Sequence, residues 1–412
     1  MEMMHQASGS RYIRAMTTEP PIDPRAPGQV GQPRNLGEPI HLADVEIAGF
    51  VRSAPAPGQN FVEVWTSLGL TSEDPHFHRI VEGFESVVLD AAHKAGARVN
   101  VRRASTVLLV IHPDKRAELW VDTAFKVVGC LVKRQMQVGQ IVVDRDVADI
   151  TNMAFPHVPI SEDDKVLCLF REGWSFGFAC FTEANAKLDL DWFWYHLGGL
   201  VRRLRYRHLY QVVETARSFE HLLAAGWFPF AEIINAEFGN LAALAEAGHP
   251  LDDAGQRVLA GFDDVRVDHV LARWLTRPHY ASREKVLTAA INAFKAKDPI
   301  SVIKNLLTEI EGVLNDAHRA ANNGTGARIP ALLKFAQDSA EGKAGGPNTL
   351  MFPKSFGIYL KRHTFANFDP VAQTGTASSR HAVGHGAAAQ DTYTMTRALQ
   401  AILTVDQLAF YT

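Results

Sequence analysis

Residues 165–181, KVLCLFREGWSFGFACF, decide how the chain is read. Lys165–Phe170 and Ser175–Phe181 are runs rich in aliphatic and aromatic residues, and they flank Arg171-Glu172-Gly173-Trp174. Two such runs around a short glycine-containing turn predict a β-hairpin. Beyond Asp189 the strand signals stop. Apolar residues then recur every three or four positions, the period of a helix with one buried face. Strands followed by helices predict an α+β protein.

Working outward from the hairpin, Val107–Ile111 is an unbroken apolar run closed by His112-Pro113-Asp114, and it reads as a buried strand. Gln140–Val143 is a second short strand candidate, and Ala124–Lys133 fits a helix or a strand equally well. Phe61–Leu70 and His76–Ala97 read as helical. Residues 59–190 are thus expected to form an α+β domain of unknown role. Residues 1–58 hold eight of the twenty prolines. Proline lacks a backbone donor and fixes φ, so a disordered leader is expected there, with room for a strand around Ile40–Val51.

On the other side, residues 191–278 read as a helical connecting region. Trp192–Leu223 has long helical periodicity with a tolerated break at Gly198-Gly199, and Phe262–Trp274 is a further helix. Residues 279–412 read as an all-α bundle. Ser282–Lys295 has one apolar face, and Asp298-Pro299 supplies an N-cap and a first-turn proline. The helix that follows buries Ile303, Leu306, Leu307, Ile310, Val313 and Leu314 and stops at Asn322-Asn323-Gly324. Pro330–Ala340, Lys354–His363 and a last helix carrying Met395, Ala398, Leu399, Ile402 and Ala409 complete the bundle.

The 412 residues are 47% hydrophobic and 21% charged, which excludes a wholly disordered or collagen-like chain. With 42 basic and 45 acidic residues the net charge is -3, so there is no chain-wide basic footprint for nucleic acid. The three cysteines, Cys130, Cys168 and Cys180, have no CxxC spacing. That excludes a disulfide scaffold and a cysteine-rich zinc module and suits a reducing cytosol; Cys168 and Cys180 read as buried free thiols on the hairpin. No apolar run reaches the ~18 residues that a membrane span needs, and no apolar signal core begins the chain, so a cytoplasmic location is expected.

The sharpest chemical signal is Ser379-Arg380-His381-Ala382-Val383-Gly384-His385-Gly386. Arginine offers a permanently charged fork for phosphate oxygens. Histidine titrates near neutrality and serves as general acid or base. A metal-free ribonuclease needs both: a base for the 2′-hydroxyl and a cation for the charge that builds on phosphorus.

The motif lies late in a helical bundle, just before the terminal helix, and resembles the R-x4-6-H signature of the HEPN superfamily. It is similar in particular to the bacterial subgroup reading NRHxxxHG. Arg283–Asp316, with Ile310-Glu311-Gly312 at its core, resembles the first two helices of that subgroup. The likeness covers roughly residues 279–412, about a third of the chain. It implies a metal-independent endoribonuclease without a cofactor, acting as a homodimer in which two motifs face each other, in a stress or phage-defence setting. It would have Arg380 hold the scissile phosphate and His385 act as acid or base. His381 falls where a polar residue follows the arginine, and Glu311 falls on an acidic position of the second helix. Ser379 and Gly384 depart from the subgroup, which often has asparagine and leucine there. Many members of the superfamily are not catalytic. A dimerisation module that binds a nucleotide or protein is therefore the alternative.

Arg202, Arg203, Arg205, Tyr206 and Arg207 form a local basic run. They suit an RNA approach path, with arginines on phosphates and the tyrosine stacked on a base, or a solvated helix face, or pairing with acidic neighbours. His76-Phe77-His78 lacks a third ligand for zinc, and Asp144-Arg145-Asp146 with Asp149 nearby reads as a salt-bridged loop. No metal site is expected.

Overall fold

The computed structural model describes residues 37–53, 57–58, 60–367 and 375–412. Most of the leader expected over residues 1–58 lies outside them. The chain is α+β. Its first half runs β1 (Ile40–Leu42), β2 (Phe50–Val51), β3 (Val64–Trp65), β4 (Ser67–Thr71), α1 (Phe77–Lys94), β5 (Thr106–Ile111), β6 (Ala117–Val121), β7 (Val127–Val132), β8 (Val147–Ala154), β9 (Lys165–Glu172) and β10 (Ser175–Phe181). Helices follow: α2 (Leu190–Arg205), α3 (Arg207–Glu214), α4 (Ala216–Ala224), α5 (Ala236–Ala247), α6 (Asp252–Ala260) and α7 (Asp264–Leu275). The rest is α8 (Pro278–Ala281), α9 (Glu284–Lys295), α10 (Pro299–Ala321), α11 (Ile329–Ala344), α12 (Pro353–Arg362), α13 (Arg380–Gly384) and α14 (Met395–Tyr411).

Six strands form an antiparallel sheet in the order β1-β6-β5-β9-β10-β4. Its middle strands are apolar on both faces because both faces are covered. Leu108, Val110, Val166, Cys168 and Phe170 join the core shared with the helical half. Val107, Leu109, Ile111, Leu167 and Leu169 point the other way, onto the buried stripe Phe77, Ile80, Phe84, Val88 and Ala92 of α1. The hairpin expected at residues 165–181 is β9–β10. Cys168 stands opposite Ala179, and Cys180 opposite Leu167, so the two thiols face opposite sides of the sheet. Burial pushes both up to about 12.

Two local readings differ from the structure, and one left open is resolved. Phe61–Leu70 is not helical: Ser67–Thr71 pairs along β10, and edge pairing overrides the local pattern. Gln140–Val143 is not a strand; Ile141 is 80% exposed, and the partner of β7 is β8, a few residues further on. Ala124–Lys133, open between helix and strand, contains β7. Helix α2 runs through Gly198-Gly199, as read. A Cβ on Gly198 would lie 2.5 Å from the Asn152 Cα, so the glycine lets α2 lie directly on β8.

The core does not part at residues 190 or 278. One buried cluster extends from β5 through α2–α7 to α14. In α14 every residue from Ala398 to Tyr411 is buried, as expected of a central helix. Its polar groups are satisfied by neighbours. Gln407 accepts from the Ala231 N–H at 2.7 Å, and Asp406 accepts from Arg273 and from the Trp274 indole at 2.9 Å. Among the described residues, no helix is long and apolar enough to cross a membrane.

Candidate functional site

Helix α10 owes its start to Asp298, whose carboxylate accepts the Ile300 and Ser301 N–H groups, each at 3.1 Å. Its buried residues include the stripe read from the periodicity, Ile303, Leu306, Leu307, Ile310, Val313 and Leu314, together with Val302. This fixes the direction of Ile310-Glu311-Gly312. Arg283 lies across the helix at Gly312, where a Cβ would meet its guanidinium at 2.7 Å. It is held by Glu309 and, at 2.6 Å, by Asp316. Glu311 points elsewhere, and its carboxylate meets the Arg380 guanidinium at 2.5 Å. Both side chains keep roughly a quarter of their surface in solvent, 26% for Glu311 and 29% for Arg380.

Arg380 opens the short helix α13. The Ser379 hydroxyl accepts from the Ala382 N–H and donates to the Ala366 carbonyl. The Arg380 N–H donates to the Thr364 carbonyl at 2.9 Å, tying α13 to the end of α12. The His385 N–H donates to the His381 carbonyl at 3.0 Å and closes the helical turn. Side chains four apart on a turn share a face, so His381 and His385 stand together, with Arg380 ~100° further round. His381 is half-buried, whereas His385 is exposed beside Gly386, whose φ is +70°. Gly384 takes an ordinary helical conformation, and a Cβ there would meet nothing within 4 Å. Neither a close approach nor an unusual backbone requires that glycine.

Behind this segment lies His363, the C-cap of α12. It is buried, and its Nε2 donates to the Leu223 carbonyl at 2.6 Å. Burial pulls the imidazole down to about 4, helped by Arg397 and Arg362 and opposed by that hydrogen bond.

The basic run of residues 202–207 does not make a single surface. Arg202 is fully buried; it donates to the Ile150 carbonyl at 2.6 Å and faces Asp149 at 3.6 Å. Tyr206 lies in the bend between α2 and α3 at 3% exposure, and burial pushes its phenol up to about 12. The other three are paired with carboxylates: Arg203 with Glu214 at 2.6 Å, Arg205 with Glu172 at 2.7 Å and Arg207 with Glu73 at 2.8 Å. Arg202 and Tyr206 are therefore out of reach of RNA, and the run joins α2 and α3 to β8, β9 and the turn after β4. The expected loop ion pair is present, with Asp146 receiving Arg134 at 2.7 and 3.0 Å. Asp149 has a different role. It also accepts from Thr349, Leu350 and Ile150, and its burial raises the carboxyl despite Arg202.

No protein-family model, curated protein or solved structure matches the chain. The residues themselves therefore carry the functional reading. Of the expected catalytic set, Glu311 and Arg380 are in contact, and His381 and His385 share one turn of α13. Among the described residues, no three His, Cys, Asp or Glu side chains group as a metal site.

Proposed function

We propose that the chain is a metal-independent, HEPN-type endoribonuclease that cleaves RNA by attack of its own 2′-hydroxyl. In this reading His385 removes the 2′-hydroxyl proton. Arg380 stabilises the charge on the phosphoryl oxygens, and His381, on the same face as His385, protonates the departing 5′-oxygen. The products are a 2′,3′-cyclic phosphate and a 5′-hydroxyl. Glu311 orients the guanidinium. A homodimer would bring two motifs to one phosphate, and the setting is cytoplasmic stress response or phage defence.

The observation that supports this reading is the 2.5 Å contact of Glu311 with Arg380. It couples the acidic position of the second helix to the motif arginine while leaving both partly open to solvent. The test is cleavage of RNA by the full chain with EDTA present. Arg380→Ala and His385→Ala should each lose about 10²–10³ in rate. Loss of activity with EDTA, cleavage of an all-2′-deoxy substrate, or unimpaired variants would overturn the mechanism. Light scattering that shows only monomer would remove the dimer.

The same ion pair favours a second reading, a non-catalytic dimerisation module that binds a nucleotide or protein, because Arg380 already has a carboxylate partner. A wild-type dimer without RNA cleavage would favour it.

A further inference from the structure

A cavity of ≈ 1150 Å³ opens where the end of β7, the start of α5 and one face of α7 meet. It lies outside the segment that carries the motif. Its carboxylates are engaged. Glu232 and Glu237 hold Arg266 at 2.6–3.0 Å, and Glu232 also holds Arg273 at 2.8 Å. Asp146 holds Arg134, and Asp263 caps α7 by accepting the Arg266 N–H.

Three cations of the wall make no direct salt bridge among the described residues: Lys133, Arg145 and Arg277. Lys133 is 6% exposed. Its ammonium has three N–H groups and makes one hydrogen bond, to the Glu232 carbonyl at 3.2 Å. Burial pulls that ammonium down to about 8, against the attraction of Glu232. The Arg277 Nε is buried with no hydrogen-bond partner. Buried donors without acceptors are costly, and an anionic oxygen in the cavity would satisfy both side chains. Three cations around one space suit a group with more than one negative charge, as a phosphate monoester carries. The rest of the wall is partly apolar, and Val265 stands 62% exposed beside it. The space is large enough to admit a drug-sized ligand.

We propose that this cavity binds a nucleoside phosphate, with Lys133 and Arg277 on its phosphate oxygens, Arg145 at the rim and the base against Val265. Binding does not depend on RNA cleavage, so it stands or falls separately from the endoribonuclease reading.

The test is isothermal calorimetry and thermal unfolding of the full chain with ATP, AMP, adenosine and inorganic phosphate at millimolar concentration. ATP and AMP should bind saturably and raise Tm, while adenosine and inorganic phosphate should not. Lys133→Met and Arg277→Gln should each weaken AMP by about tenfold or more. Lys133→Met removes a buried charge, and Arg277 is half-buried, so circular dichroism should show both variants folded. Arg116→Gln, at an exposed ion pair elsewhere, should bind as wild type does. Absence of saturable nucleotide binding, equal binding of adenosine, or unchanged affinity in both variants would overturn the proposal.

Discussion

Arg202 and Asp149 face each other 3.6 Å apart, and neither side chain is exposed to solvent. The pair fastens α2 to β8, and Asp149 passes the connection on to Thr349 and Leu350 at the start of the segment leading to α12. Removing one partner leaves the other charge buried without compensation. Arg202→Met should therefore cost roughly 3–5 kcal/mol in urea unfolding. The double variant with Asp149→Asn should recover part of that, because the amide oxygen carries no charge and still accepts from the buried N–H groups. A single variant as stable as wild type would show that the pair does not hold the two elements together.

Glu311 tests the motif more finely than its deletion does. If the carboxylate orients Arg380, Glu311→Gln should lower the RNA cleavage rate by about 10- to 10²-fold with little change in stability. A faster variant would instead mean that Glu311 holds the guanidinium away from substrate.

Gly198 is a packing requirement. Its missing side chain leaves room for the Asn152 backbone, so Gly198→Ala must push α2 off β8. The expected loss is roughly 1–3 kcal/mol, against the small gain that alanine brings to an open helix. Gly239, where a Cβ would meet nothing within 4 Å, is the control, and Gly239→Ala should be neutral or stabilising. Equal effects at the two sites would contradict the packing argument.

His363 should make the fold sensitive to acid. Its native imidazole titrates near 4, below the ordinary value of 6.5. Between those values the unfolded chain binds the proton first, so stability falls as pH drops from about 6.5 to 4. The full difference is on the order of 3 kcal/mol. His363→Gln keeps a donor for the Leu223 carbonyl and should flatten the stability profile over that range relative to wild type. Parallel profiles would assign the acid sensitivity to other groups.

What could be read in advance follows from how local each signal is. The β9–β10 hairpin and the strand at Val107–Ile111 were legible because a sheet covered on both faces leaves uninterrupted apolar runs. Helix α10 was legible from Asp298-Pro299 and a six-residue stripe. Phe61–Leu70 misled because what makes Ser67–Thr71 a strand is β10, over a hundred residues later. The arginines at 202–207 left an RNA path, a solvated face and acidic pairing all open because a charge carries no local mark of its partner; the pairing holds, with Asp149 and the glutamates lying in other elements. The cavity left one faint trace. Arg266 and Arg273 are seven apart on α7, on the side that also carries Val270, and charges at that spacing beside a buried residue mark a polar interior.

The coating of the sheet on both faces has a consequence for synthesis. One coat, α1, is made together with the strands, but most of the other comes from residues 190 onward. A nascent chain that has emerged only to Phe181 has all the strands but lacks the helices that cover Leu108, Val110, Val166, Cys168 and Phe170. Such a half-chain is expected to be aggregation-prone until the helices arrive. Expressed as a fragment ending at Asp189, it should accumulate in inclusion bodies.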